Sequence, residues 1–176
     1  MTVYFYRWDP GRAAPPSPEL PPGVEVRLWR PGRDGFPSKG SISPQNIVWW
    51  GMTLSRLLAS RDFAEISLWR DGRRLHRLIV TPRWRRFPFM AADDLQIGAV
   101  WTHPEARGLG LARAAVAIAH RQVAASAKRL WYIVETGNAP SIRLIESCGY
   151  RRVGVGRRSR PLGIRALGQF RLETLL

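Results

Sequence analysis

Apolar and polar residues alternate along Val24–Trp29 (VEVRLW), the pattern of a strand with one face toward a core. The same two-residue period, rich in aromatic side chains, runs through Thr2–Trp8 (TVYFYRW) and predicts a short strand. Two further runs, about Glu65–Arg70 and Arg73–Thr81, flank Asp71-Gly72, a pair suited to a two-residue hairpin turn. Leu95–Thr102 and Leu130–Glu135 are largely apolar and read as buried strands. Tyr150–Gly156 and Leu167–Leu175 close the chain as two more. The period becomes helical in three places. Ile47, Trp50, Leu54, Leu57 and Leu58 share a face over Asn46–Ser60. Leu111, Ala115, Ile118, Ala119 and Val123 form a stripe within Leu111–Lys128. Pro140–Cys148 has proline at its start and Gly149 past its end, the polarity of a short helix. Strands interleaved with helices predict an α/β (α+β) domain with a mixed, mostly antiparallel sheet of about six or seven strands.

Asp9–Gly23 carries Pro10, Pro15, Pro16, Pro18, Pro21 and Pro22. Such a segment cannot join a helix or a central strand, so it reads as an extended arm. Residues 1–23 are therefore set apart as a strand and proline-rich arm, and 24–176 as one domain. Arg30–Gln45 reads as a loop, and Pro82–Ala92 as a basic, aromatic one.

The length of 176 residues suits one domain with a real core, and the 45% hydrophobic and 23% charged content is that of a globular protein. The net charge of +15 favours phosphorylated or polyanionic partners. The arginines are spread along the whole chain, so a solubilising surface explains them equally well. Cys148 is the single cysteine, which excludes an intrachain disulfide. The longest apolar run, Ile47–Leu54, is too short to span a bilayer, and Met1–Trp8 lacks the basic start of a signal peptide. The expectation is a cytoplasmic protein with no membrane partner.

Between the strand Leu95–Thr102 and the helix from Leu111 stands Arg107-Gly108-Leu109-Gly110-Leu111-Ala112. A strand–turn–helix junction exposes backbone N–H groups at the positive end of a helix dipole. Glycines without a Cβ let an anion approach that backbone closely. A phosphate or pyrophosphate suits the geometry; a helix start whose glycines only permit a sharp turn is the other reading. No Gly-Lys-Ser/Thr follows, and the spacing is Gly-x-Gly followed by Leu111-Ala112 rather than Gly-x-Gly-x-x-Gly, so Walker and Rossmann phosphate loops drop out.

His103–Ala112 (HPEARGLGLA) resembles the acetyl-CoA-binding motif of the GNAT family, the Gcn5-related N-acetyltransferases, Arg/Gln-x-x-Gly-x-Gly/Ala. Arg107, Gly110 and Ala112 fill its fixed positions. Asn138–Tyr150 (NAPSIRLIESCGY) is similar to the family's Asn-x-x-(small)-x-x-Leu-Tyr-Glu-x-x-Gly-Phe segment. Together the matches cover Leu95–Tyr150, about a third of the chain. The resemblance implies a single GNAT-like domain in which Leu95–Thr102 and the parallel strand Trp131–Glu135 splay into a cofactor cleft. It implies acetyl-CoA as co-substrate, its pantetheine arm along Val100, Trp101 and Thr102. Its pyrophosphate would rest on backbone N–H groups of Arg107, Gly108, Leu109, Gly110, Leu111 and Ala112. Asn138 is either a further contact or an Asx turn leading into the Pro140 helix. No metal is implied.

Acetyl transfer to a primary amine needs a proton acceptor, an oxyanion donor and a proton for the leaving thiolate. In the family a tyrosine of the second motif often supplies that last role, and its position here holds Ile145. Tyr132, Ser147 and Cys148 are the alternatives, beside an unassisted departure of the thiolate; Tyr150 matches a structural aromatic. Glu135 is the first candidate for the base; Asp93, Asp94 and His103 are the others, and each also has a purely structural reading. Acceptor contacts are expected from Gly32–Gln45, Arg157–Arg165 and the loop Arg83–Phe89. The expected acceptor is a small, anionic amine such as a nucleotide-linked amino sugar. A macromolecular amine (a protein N-terminus, a ribosomal or RNA-associated target) and a non-catalytic CoA-binding module are the alternatives. Nucleic acid is the less favoured partner, and the oligomeric state is open, a dimer included.

Overall fold

A computed structural model describes residues 1–36, 44–123, 129–159 and 168–175. The elements are β1 (Thr2–Trp8), β2 (Glu25–Trp29), the helical turn α1 (Pro31–Asp34), α2 (Pro44–Leu54), β3 (Ala64–Arg70), β4 (Arg73–Pro82), β5 (Leu95–Thr102), α3 (Leu111–Gln122), β6 (Leu130–Glu135), α4 (Ala139–Ser147), β7 (Arg151–Arg158) and β8 (Phe170–Leu175). The expected extension of α3 to Lys128 and the start of β8 at Leu167 lie outside the described residues. The helix expected over Asn46–Ser60 stops at Leu54, and Arg56 takes a positive φ of 56° two residues later. The Asp71-Gly72 turn has φ of 51° and 73°, the doubly left-handed geometry that matches the twist of the two strands it joins.

Among the described residues eight strands form one sheet in the order β2-β3-β4-β5-β6-β1-β7-β8, more than the six or seven expected. All neighbours are antiparallel except β5 and β6. The N-terminal strand is therefore not peripheral: β1 pairs with β6 on one side and β7 on the other, and its Phe5 and Tyr6 are wholly buried. Alternation alone places a strand; it does not say which partners it takes. The proline arm then crosses back over the molecule. Arg12 donates to the carbonyl of Gly149, and Arg121 of α3 donates to Ser17.

α3 and α4 cover one face of the sheet, with Ile66, Leu78, Ile97, Leu111, Leu130 and Ile145 in the core between. The alanines of α3 at 114, 115, 117 and 119 are all buried, and their small side chains let the helix lie close to the strands. α2 and the loop 83–90 cover the other face with aromatic rings. Trp49 stacks on Phe63, Phe89 meets Phe5 and Trp131 edge-on, and Phe87 stacks on Phe170. Covered on both sides, β3 is buried along nearly its whole length.

One local irregularity decides where a site forms. β5 pairs with β6 from Leu95↔Leu130 to Ile97↔Tyr132, and no further. At that point the register between β4 and β5 shifts and Ala99 adopts a φ of 49°. A bulge bends the strand that carries it, and here β5 turns away from β6. Residues 98–102 and 133–135 then diverge, leaving a wedge-shaped opening in the sheet.

Candidate active site

The splayed strands, the glycine turn and the start of α4 enclose a groove. Its first part, about 450 Å³, is walled by Arg107, Gly108, Gly110 and Leu111 on one side and by Arg143, Leu144 and Ser147 of α4 on the other. Its second part, about 410 Å³, lies between Val100, Trp101 and Thr102 of β5 and Asn138, Pro140 and Ser141 of α4. Thr102, Arg107, Ala112, Pro140 and Leu144 border both parts, so the two are continuous.

The turn has the conformation that glycine allows. Gly108 and Gly110 have φ of 83° and 73°, and Gly110 is the residue from which α3 starts. The first N–H groups of α3, from Leu111, Ala112 and Arg113, have no carbonyl within the helix to bond to, and all three residues border the groove. Arg107, Arg113 and Arg143 add three exposed guanidinium groups around the same space. An anion-accepting helix start, three cations and a long adjoining slot fit an elongated, multiply phosphorylated ligand.

Of the sequence-predicted contacts, Val100, Trp101, Thr102, Arg107, Gly108, Gly110, Leu111, Ala112 and Asn138 border the groove. The side chain of Leu109 is exposed and borders neither part. Asn138 also caps α4, its Oδ1 accepting from the Ser141 N–H at 3.2 Å, so the two alternatives for that residue coexist. Arg113 and Arg143 are groove residues that the motifs do not name, whereas Leu144 fills the leucine position of the second motif. The signal for Arg143 is helical spacing: Pro140, Arg143, Leu144 and Ser147 recur at three and four residues and lie on one face of α4.

The remaining candidates separate by burial. Glu135 is exposed at the end of β6, on the face that Ile133 shares. Asp94 is wholly buried and works for the fold: its Oδ2 accepts from Trp131 Nε1 at 2.8 Å and from the Ala91 N–H at 2.9 Å, which ties the loop to β6 at the start of β5. His103 pairs with Glu105 at 3.7 Å and stands edge-on to Trp101. Ile145 is wholly buried beneath α4, and Cys148 behind it is 2% exposed, with burial pushing its thiol up. Ser147 borders the groove but donates to the Leu144 carbonyl at 2.7 Å. Tyr132 is buried, which raises its hydroxyl above the ordinary value, and it donates to Ser141 Oγ at 3.4 Å; Ser141 faces the groove.

The wedge between β5 and β6, the glycine turn at the head of α3 and the α4 wall make a diagnostic arrangement. This is the fold of the GCN5-related N-acetyltransferases. Residues 89–159 match the family described as FR47-like protein. Solved structures similar to this chain include a GCN5-related N-acetyltransferase from Kribbella flavida, at 18% identity and a TM-score of 0.52 over 86% of this chain and 55% of that one. A tandem GNAT protein from the clavulanic acid biosynthesis pathway aligns at 14% identity and 0.58, over 86% and 50%. A GCN5-related N-acetyltransferase from Sphaerobacter thermophilus aligns at 18% and 0.53, over 88% and 49%. The chain spans about half the length of these structures. No curated protein matches it. The FR47-like match begins in the aromatic loop and ends just past β7, so it contains the whole GNAT groove. Among the described residues no helix is long and apolar enough to cross a membrane.

Proposed function

We propose that the chain binds acetyl-CoA in this groove and transfers the acetyl group to a primary amine on a small, anionic acceptor. The observation that carries the reading is the left-handed Gly108–Gly110 turn opening onto a groove that runs to the splay of β5. Backbone N–H groups of the turn and the first turn of α3 hold the pyrophosphate, with Arg107, Arg113 and Arg143 around it. Val100–Thr102 line the pantetheine slot, and the β5 backbone beyond Ile97, unpaired with β6, offers N–H groups to an oxyanion. Acetyl-CoA supplies a thioester carbonyl to the amine. Glu135 receives the proton that the amine releases. Tyr132, acting through Ser141, is the hydroxyl best placed to protonate the leaving sulfur, because the usual tyrosine position is Ile145. Transfer to a macromolecular amine is the second reading, supported by the net charge of +15.

Calorimetric titration with acetyl-CoA tests the donor side: saturable binding is expected, and no heat and no thermal stabilisation at millimolar ligand would refute it. Glu135→Gln should lower kcat by about 100-fold, the scale of a lost general base, with acetyl-CoA affinity unchanged. Unaltered kcat would remove Glu135 from the mechanism.

A further inference from the structure

The opposite face of β5 carries a second cavity, of about 230 Å³. Gly98 and Ala99 border it, directly before the Val100–Thr102 stretch that borders the groove, so one strand separates the two spaces at the point where it leaves β6. Much of the wall is aromatic. Trp49 meets Trp84 edge-on at 5.7 Å between ring centroids, and Phe87 stacks on Phe170 at 5.7 Å with only 19° between planes. These contacts make a flat-sided slot whose rings hold one another in place.

Two guanidinium groups complete the wall. Arg86 lies 4.8 Å from the Trp84 ring centroid and Arg158 lies 5.4 Å from that of Phe170. Among the described residues bordering the cavity none is acidic. Burial, followed by the like charges of Arg158 and Arg85, pushes the Arg86 guanidinium below its usual range. Trp84 Nε1 is also buried, with no hydrogen-bond partner among the described residues. A guanidinium is planar, weakly hydrated and carries a fork of N–H donors, so two of them on one aromatic wall suit an oxyanion.

We propose that this cavity seats the acceptor, a primary amine of amino-acid size with a flat apolar body and an oxyanion held by Arg86 and Arg158. The proposal rests on the acetyl-transfer reading above and narrows it. The volume lies below the roughly 300–1,000 Å³ of drug-sized sites, which favours an amino-acid-sized molecule over a nucleotide-linked sugar. With the oxyanion at the arginines and the apolar body against the aromatic wall of Trp49, Trp84 and Phe87, the amino group points to Gly98 and Ala99, beside the splay. The amine lone pair then forms a C–N bond to the thioester carbonyl carbon, and the C–S bond breaks with its electron pair on sulfur. The amine loses one proton to the base and the thiolate gains one, giving an amide and a free thiol.

Tryptophan fluorescence titration without acetyl-CoA follows this cavity through Trp49 and Trp84 of its wall, and a Trp101→Phe background removes the tryptophan that borders the groove. Three probes are compared: L-phenylalanine, phenethylamine and the aminophosphonate analogue of phenylalanine. At least one of the two anionic amines should bind about 10- to 100-fold more tightly than phenethylamine, the scale of a charge-assisted pair. The tighter of the two identifies the oxyanion as carboxylate or phosphoryl. Arg158→Gln and Arg86→Gln should erase that preference, and Arg158→Lys should restore part of it. Equal binding of phenethylamine and both anions would overturn the proposal, and that comparison on the unaltered protein decides even if an arginine variant fails to fold. Normal acetyl-CoA binding with no anion preference refutes the acceptor site alone. Anion preference without acetyl-CoA binding refutes the donor reading alone.

Discussion

Acidification should unfold this domain through two buried histidines that the proposed chemistry does not use, His76 and His120. His76 is wholly buried in β4; its Nδ1 shares a 2.8 Å hydrogen bond with Thr102, and its Nε2 has no hydrogen-bond partner among the described residues. His120 of α3 is 6% exposed, shares a 3.0 Å hydrogen bond with the buried Tyr150 hydroxyl and stands edge-on to Trp8. Burial pushes both imidazoles from 6.5 down to about 4. A cation-forming group with a depressed folded pKa stays neutral in the native state while the unfolded chain takes up its proton. The stability it confers is complete above 6.5 and is lost as pH falls toward 4. A tenfold difference in proton affinity between folded and unfolded chain is worth about 1.36 kcal/mol. Each histidine therefore contributes about 3 kcal/mol across the whole window and about 2 kcal/mol between about pH 7 and about pH 5. Two together approach the lower end of the total stability of a domain, about 5 kcal/mol. Burial raises Glu65 above its usual carboxylate range, which works in the opposite direction as pH rises above 4.5 and reduces the net slope. The His120→Phe variant removes one histidine from the balance and keeps a ring against Trp8. Urea denaturation followed by circular dichroism at several pH values should show a smaller stability loss on acidification by about 2 kcal/mol over that interval. An unchanged pH dependence would refute the assignment of His120 as a buried neutral group.

Two further substitutions test the site and the sheet. Gly110→Val should abolish measurable acetyl-CoA binding by calorimetry while the domain stays folded by circular dichroism; a Cβ there meets only Pro18, at 3.7 Å, so the cost to folding is the left-handed conformation, about 1–2 kcal/mol. Normal binding by this variant would remove the turn from the donor site. Gly156→Ala should destabilise the β7–β8 edge by about 3 kcal/mol, read as a lowered Tm, because the added methyl would run into the Arg171 carbonyl and come within 2.8 Å of Phe5.

The local signals in this sequence are strong where chemistry is short-range. Asp71-Gly72 specifies its hairpin because both residues tolerate positive φ, and Pro140 with Gly149 brackets α4 because each suits only one end of a helix. The groove residues 100–102, 107, 108 and 110–112 are legible for the same reason: a strand, a glycine turn and a helix start are contiguous in the chain. The second motif, Asn138–Tyr150, is legible as a pattern, and its helical spacing accounts for the α4 wall.

Pairings between distant segments needed the tertiary structure. Alternation in Thr2–Trp8 specifies a strand but not its neighbours, and the place of β1 between β6 and β7 depends on backbone partners more than a hundred residues away. Ala99 gives no signal of its own for the bulge, since alanine ordinarily avoids a positive φ; Gly98 before it marks a place where the strand can bulge, but not that β5 there leaves β6. The aromatic cavity likewise draws Trp49, Trp84, Ile133, Arg158 and Phe170 from five separate segments. Which residues turn, cap and alternate was therefore a property of the chain, because those preferences act within a few bonds. Which residues meet was decided only by burial of the two faces of the sheet, where each contact depends on all the others.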